Sequence, residues 1–99
     1  MKRHTKILLD FLNIGHQDRP LCEYCGEREL VDVHHCIFKG MGGSKNLDYI
    51  ENLAGLCREC HDACHDSSTF NTRVKEMAAD LEERKRCHEM RERYRLEKM

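Results

Sequence analysis

The chain has 99 residues and a formal net charge of −1 from 17 basic and 18 acidic residues. That length suits one domain with a shallow core, and the charge balance excludes a protein that coats nucleic acid through overall basicity. Hydrophobic residues make up 39%, charged residues 35%, and Trp is absent, so the fold needs a staple, for which seven cysteines supply the material. Their odd number argues against a complete disulfide framework and favours thiolate-bound metal in a reducing cytoplasm.

At the start, "MKRHTKILLDFLNIG" sets basic residues before an apolar run that Asp10 interrupts, so neither an export signal nor a membrane span is expected. Ile7, Leu8, Phe11 and Leu12 fall at helical spacing, which predicts a short amphipathic helix over 5–14 with Gly15 as its stop. In "RPLCEYCGERE", Gly26 directly after the second Cys permits the tight turn of a metal knuckle. "LVDVHH" alternates in polarity and reads as a strand ending at His34 and His35. The glycine-rich "CIFKGMGGSKN" reads as a loop. Between Asp32 and Asp48 there is no acidic residue, while Lys39, Lys45 and two histidines lie there. "ENLAGLC" is the candidate second strand, antiparallel to the first. From Arg58 the pattern turns helical, with no Gly or Pro after Gly55. Phe70, Val74, Met77 and Leu81 form a narrow apolar stripe on one long helix; continued through Met90 and Tyr94, the stripe suits packing across the core or a dimer contact.

Two pairs carry the first chemical signal: Cys22 with Cys25, and Cys57 with Cys60, each spaced Cys-x2-Cys. Four thiolates at about 2.3 Å satisfy a tetrahedral zinc ion, and such a closed shell is a structural site. Cys64 shares a helix face with Cys60 and is an alternative to Cys57 as a ligand; Cys36 and Cys87 read as free thiols. With Cys57 and Cys60 committed, His61 and His65 remain at i, i+4, close enough to bite one cation. Their face is turned roughly 100° from that of Cys60 and Cys64, and His34 and His35 end a strand that the zinc would pin beside this helix.

"DVHH", a Gly-rich loop, "ENLAGLCRECH" and the paired Cys-x2-Cys units resemble the HNH endonucleases, in particular small zinc-stapled phage and prophage members, over about residues 20 to 68. The resemblance implies a small α+β fold: a ββα-metal core over 20–68 stapled by the four-cysteine zinc, an N-terminal helix and linker over 1–19, and a long charged C-terminal helix over 69–99. It implies that His35 is the general base, that His34, His61 and His65 hold a catalytic divalent cation, that Asn52 ties the loop between the strands, and that Asp32 supports a ligand histidine. Cys36 departs from the family's usual aliphatic residue after the base, and a register shift of one would exchange His34 and His35. The implied chemistry is phosphodiester hydrolysis in DNA, nicking or cutting both strands with weak sequence preference. Zn2+, Ni2+, Mn2+ or Co2+ suit the imidazoles, and Mg2+ is used by relatives with mixed ligands. Lys39, Lys45 and Arg58 are candidate DNA contacts. A phage packaging machine built around a terminase-like ATPase is a candidate partner. The rival reading is a non-catalytic zinc-ribbon-like module that binds protein or nucleic acid, for which four histidines around one strand end have no use.

Overall fold

The computed structural model describes residues 2–15, 20–37 and 47–97. Helix α1 spans Arg3–Leu12, strand β1 Asp32–His35, strand β2 Leu53–Leu56, and helices α2, α3 and α4 span Arg58–Asp66, Ser68–Ala79 and Leu81–Glu97. A 3-10 turn over Ile50–Asn52 leads into β2. The fold is thus a small α+β structure with a two-stranded antiparallel sheet and four helices among the described residues.

Helix α1 buries Leu8 and Leu12. It ends sooner than the Gly15 stop expected from sequence, because Asn13 takes a left-handed backbone (φ 56°), and its N–H returns to the Asp10 carbonyl at 3.2 Å. Asparagine is among the few residues that tolerate this conformation. The segment after it, Leu21 to Glu29, folds back on itself through an isolated bridge between those two residues. Gly26 makes the bend with φ 68°.

In the sheet, Asp32 faces Leu56 and His35 faces Leu53. All four residues of β2 are buried, so this strand is covered on both faces. Gly55 has to be glycine: a Cβ there would lie 2.1 Å from the Leu30 side chain. The core joins Ala54 and Leu56 to Val74 and Ala78 and to five cysteines, Cys22, Cys36, Cys57, Cys60 and Cys64. Tyr24 and Phe70 close its edge with ring centroids 4.9 Å apart.

The C-terminal stretch divides where the apolar stripe is expected to run through one helix. Ser67 separates α2 from α3 and caps α3, its hydroxyl accepting from Phe70 N–H at 3.2 Å. Asp80 leaves helical geometry (φ −94°, ψ 85°), and its carboxylate accepts from Glu83 N–H at 3.2 Å at the start of α4. Val74 and Met77 therefore belong to α3 and Leu81 to α4, which is the long C-terminal helix.

What fixes α4 is Arg84, 3% exposed. Its guanidinium grips both carboxylate oxygens of Glu23 at 2.9 Å and donates to the carbonyls of Ile50, Ala78 and Leu53 at 2.7 to 2.8 Å. These five bonds use every N–H the group has. Glu23 also accepts from Gly55 N–H at 2.8 Å. About two turns further on, Arg91 donates to the carbonyls of Cys22 and Glu23 at 3.0 and 3.2 Å. Removing one partner of a buried ion pair leaves the other uncompensated, a loss of about 3–5 kcal/mol. Arg84→Met is expected to lower unfolding stability by that order in urea denaturation, Arg84→Lys to recover only part of it, and Glu23→Gln with Arg84→Met to be more stable than Arg84→Met alone.

Candidate active site

The four sulfurs of Cys22, Cys25, Cys57 and Cys60 lie within 4.8 Å of one another. Cys25 and Cys57, 32 residues apart, have sulfurs 3.9 Å from each other. Zinc–sulfur bonds of about 2.3 Å at tetrahedral angles set sulfurs roughly 3.8 Å apart, so the quartet fits a zinc ion with little adjustment. Backbone N–H groups point at the sulfurs, Glu27 at Cys25 and Cys60 at Cys57, both at 3.5 Å. Partial burial pushes the Cys25 thiol up, but hydrogen bonds from the Glu27 and Arg28 backbone and from neighbouring thiols bring it down to about 7. Burial raises Cys57 and Cys60: four sulfurs this close cannot all ionise without a cation to compensate them. Cys64 is buried in the core outside this group, and burial pushes it and Cys36 to about 11, as inert thiols.

Helix α2 starts at this quartet, with the Cys57 sulfur as its cap, and its other side carries His61 and His65. Their Nε2 atoms face each other at 3.2 Å, close to the roughly 3.4 Å that two zinc–nitrogen bonds of about 2.0–2.1 Å would span. His34 on β1 completes the group, with its ring centroid 5.2 Å from that of His61 and 5.7 Å from that of His65. Ligand atoms of all three lie within 4.8 Å of one another, a donor set that suits a divalent cation.

Each of the two inner rings is held by an outer partner. Asp32 accepts from His61 Nδ1 at 3.1 Å, which leaves Nε2 as the lone-pair nitrogen facing His65. His34 Nε2 meets the Asn71 carbonyl oxygen at 2.7 Å, while the Asn71 amide donates to the Cys36 carbonyl at 2.9 Å. His34 therefore offers Nδ1 as its lone pair. Burial pushes His34 below its ordinary value; the bond to Asn71 opposes this, and the nearby His61 and His65 add to it.

The strand pleat turns His35 the other way. Its Nε2 lies 2.7 Å from the Asp48 carboxylate, and its ring stacks edge-on against His4 of α1 at 4.8 Å. Asn52, 1% exposed, accepts from Ile37 N–H at 2.7 Å and donates to the Leu47 carbonyl at 3.0 Å. It thereby joins the two ends of the segment that connects the histidine pair to the second strand. Arg58 is exposed and pairs with Asp32 at 3.2 Å. Lys39 and Lys45 lie outside the described residues.

Asp48, Asn71 and His4 carry no signal in the sequence beyond the place of Asp48 at the end of the acid-free window. They come from the chain after the loop, from α3 and from α1, elements that only the folded structure brings to the histidines.

Residues 22–67 match the family model for the HNH endonucleases. Over that span the chain is similar to the HNH endonucleases. The matched span contains all four clustered cysteines and His34, His35, Asn52, His61 and His65, and the similarity supports a nuclease-type function with metal-ion use. His4, Asn71 and Arg84 lie outside the matched span. No curated protein and no solved structure matches the chain. No described helix is long and apolar enough to cross a membrane.

Two outcomes are expected. Cys57→Ser or prolonged chelation should abolish cooperative thermal unfolding, since the quartet joins the knuckle to α2. For His34, a folded-state pKa below the unfolded value of about 6.5 means its stabilising contribution is complete above that pH and declines as pH falls through the folded value. With the cysteine site loaded, urea midpoints should therefore drop more steeply in wild type than in His34→Leu as pH falls below about 6.5.

Proposed function

We propose that the chain is a metal-dependent DNA endonuclease that hydrolyses phosphodiester bonds. The observation that carries this reading is the division of the histidines across β1. His34 meets the facing nitrogens of His61 and His65 on one side, while His35 sits against a carboxylate on the other.

His34, through Nδ1, with His61 and His65, through Nε2, are the proposed holders of the catalytic cation, and Cys22, Cys25, Cys57 and Cys60 of a structural Zn2+. A divalent cation in the imidazole site supplies Lewis-acid stabilisation of charge on the phosphate and on the leaving 3′ oxygen. Zn2+, Ni2+, Mn2+ and Co2+ match three imidazoles, and Mg2+ matches them less well. Asp32 and Asn71 fix the tautomers of His61 and His34, so that each ring presents a lone pair inward.

His35 is the proposed general base. An ionised carboxylate only accepts, so with Asp48 as its partner the ring keeps its hydrogen on Nε2 and its lone pair on Nδ1. Nδ1 takes the proton of the attacking water, and Asp48 stabilises the imidazolium that results. Asn52 keeps the chain on either side of the base in register. Arg58, with Lys39 and Lys45, is proposed to meet the DNA backbone. No described helix places a row of base-reading side chains for the major groove, so weak sequence preference is expected. A reducing cytoplasm, which keeps cysteines available as metal-binding thiolates, is the proposed location. A phage packaging machine with a terminase-like ATPase is the partner in which such weakly selective cutting would be used.

Supercoiled plasmid with Mn2+, Mg2+ or Ni2+ tests the reading. Wild type should produce nicked or linear DNA, and His35→Ala should lose about 10²–10⁴-fold in rate while still binding a cation at His34, His61 and His65. Equal cutting by both removes the base assignment, and no cutting by wild type with any of the ions returns the chain to the binding-module reading.

A further inference from the structure

Beyond the quartet and the triad of imidazoles, a third group of ligand atoms comes together at His4, His35 and Asp48, again within 4.8 Å of one another. It draws on three separate places in the chain: the first turn of α1, the end of β1, and the residue shortly before the 3-10 turn. The side chains of His35 and Asp48 are 14% and 9% exposed, so the group is a half-sheltered recess and not a chance meeting of surface side chains. Two imidazoles and one carboxylate are a donor set that Zn2+ takes in tetrahedral sites with one position left open.

We propose that His4, His35 and Asp48 form a second cation site, selective for Zn2+ or a similar borderline ion, and that filling it silences the nuclease. The inference about silencing rests on His35 as the base; the cation site itself does not. Ligand atoms in such a shell stand roughly 3.3–3.5 Å apart. The His35–Asp48 contact of 2.7 Å would open slightly and His4 would close in, movements within reach of side-chain rotation.

The chemistry of silencing is a tautomer exchange. In the base-competent ring, hydrogen sits on Nε2 toward Asp48 and the lone pair on Nδ1. Coordination through Nε2 needs the lone pair there, so the ring's single hydrogen moves to Nδ1 and no proton is released overall. Neither nitrogen is then able to accept the water's proton. The two cation sites lie on opposite sides of β1, fed by adjacent residues of one strand, so an ion in one does not need to displace the ion in the other.

The test uses the full chain with its cysteine site loaded. Calorimetric titration with Zn2+ should count two further ions in wild type and one in His4→Ala, matching the two remaining ligand groups. His4→Glu, which restores a ligand, should recover the second. In Mn2+-supported plasmid nicking, His4→Ala should cut at the wild-type rate without Zn2+, yet need at least about tenfold more Zn2+ for half-inhibition. Equal Zn2+ counts in wild type and His4→Ala would overturn the site; equal Zn2+ sensitivity would overturn the silencing and place the inhibition at the imidazole triad. His35→Ala separates this proposal from the base assignment. Wild-type nicking by that variant removes the base and the silencing with it, whereas loss of its second added ion upholds the cation site.

Discussion

Four sulfurs bring together two parts of the chain that nothing local would join. Cys22 and Cys25 sit in a turn bent by Gly26; Cys57 and Cys60 sit where β2 becomes α2. Drawing them together sets the angle at which α2 leaves the sheet, and that angle brings His61 and the exposed His65 within reach of His34. The sheet has only two short strands, and a two-stranded sheet is marginal alone. Its orientation relative to α2 is therefore borrowed from the sulfur quartet, and the imidazole geometry is borrowed in turn from the sheet.

Arg84 extends the same logic to the rest of the chain. With every guanidinium N–H engaged, it binds α4 to the knuckle through Glu23, to the end of α3 through Ala78, and to the entry of β2 through Ile50 and Leu53. A small core supplies little hydrophobic stabilisation, so a buried, fully satisfied charge network carries an unusual share of the fold's specificity. Among the described residues no buried side-chain polar atom lacks a partner, which is the condition under which such a network stabilises.

Much of this was legible in the sequence for physical reasons. Metal ligation requires ligands at fixed short spacings, so Cys-x2-Cys and the i, i+4 histidines declare themselves in one dimension. The strand pair declares itself through valine, alternation and the glycine loop between. The HNH resemblance follows from the same short-range features, and the family match covers just that part of the chain. Hydrogen-bond partners that meet across long separations leave no such trace. Asn71 lies in α3 with nothing to mark it, and His4 looks like one more polar residue at a chain start. Arg84 sits in a run of charges that reads as a solvated helix face, although it is the most completely bonded side chain described. Likewise the division at Asp80 has no proline or glycine to announce it, because a carboxylate cap is enough to restart a helix.

The placement of Arg84 and Arg91 bears on how a metal in the quartet would exchange. Affinity for that ion is a matter of four sulfurs and the N–H groups around them. The knuckle that supplies two of those sulfurs is clamped from α4: its carbonyls at Cys22 and Glu23 are held by Arg91 and its Glu23 side chain by Arg84. For the turn to open, α4 has to let go of it first. A metal that exchanges by opening this turn therefore meets a barrier set in part by a helix that begins more than fifty residues after Cys25.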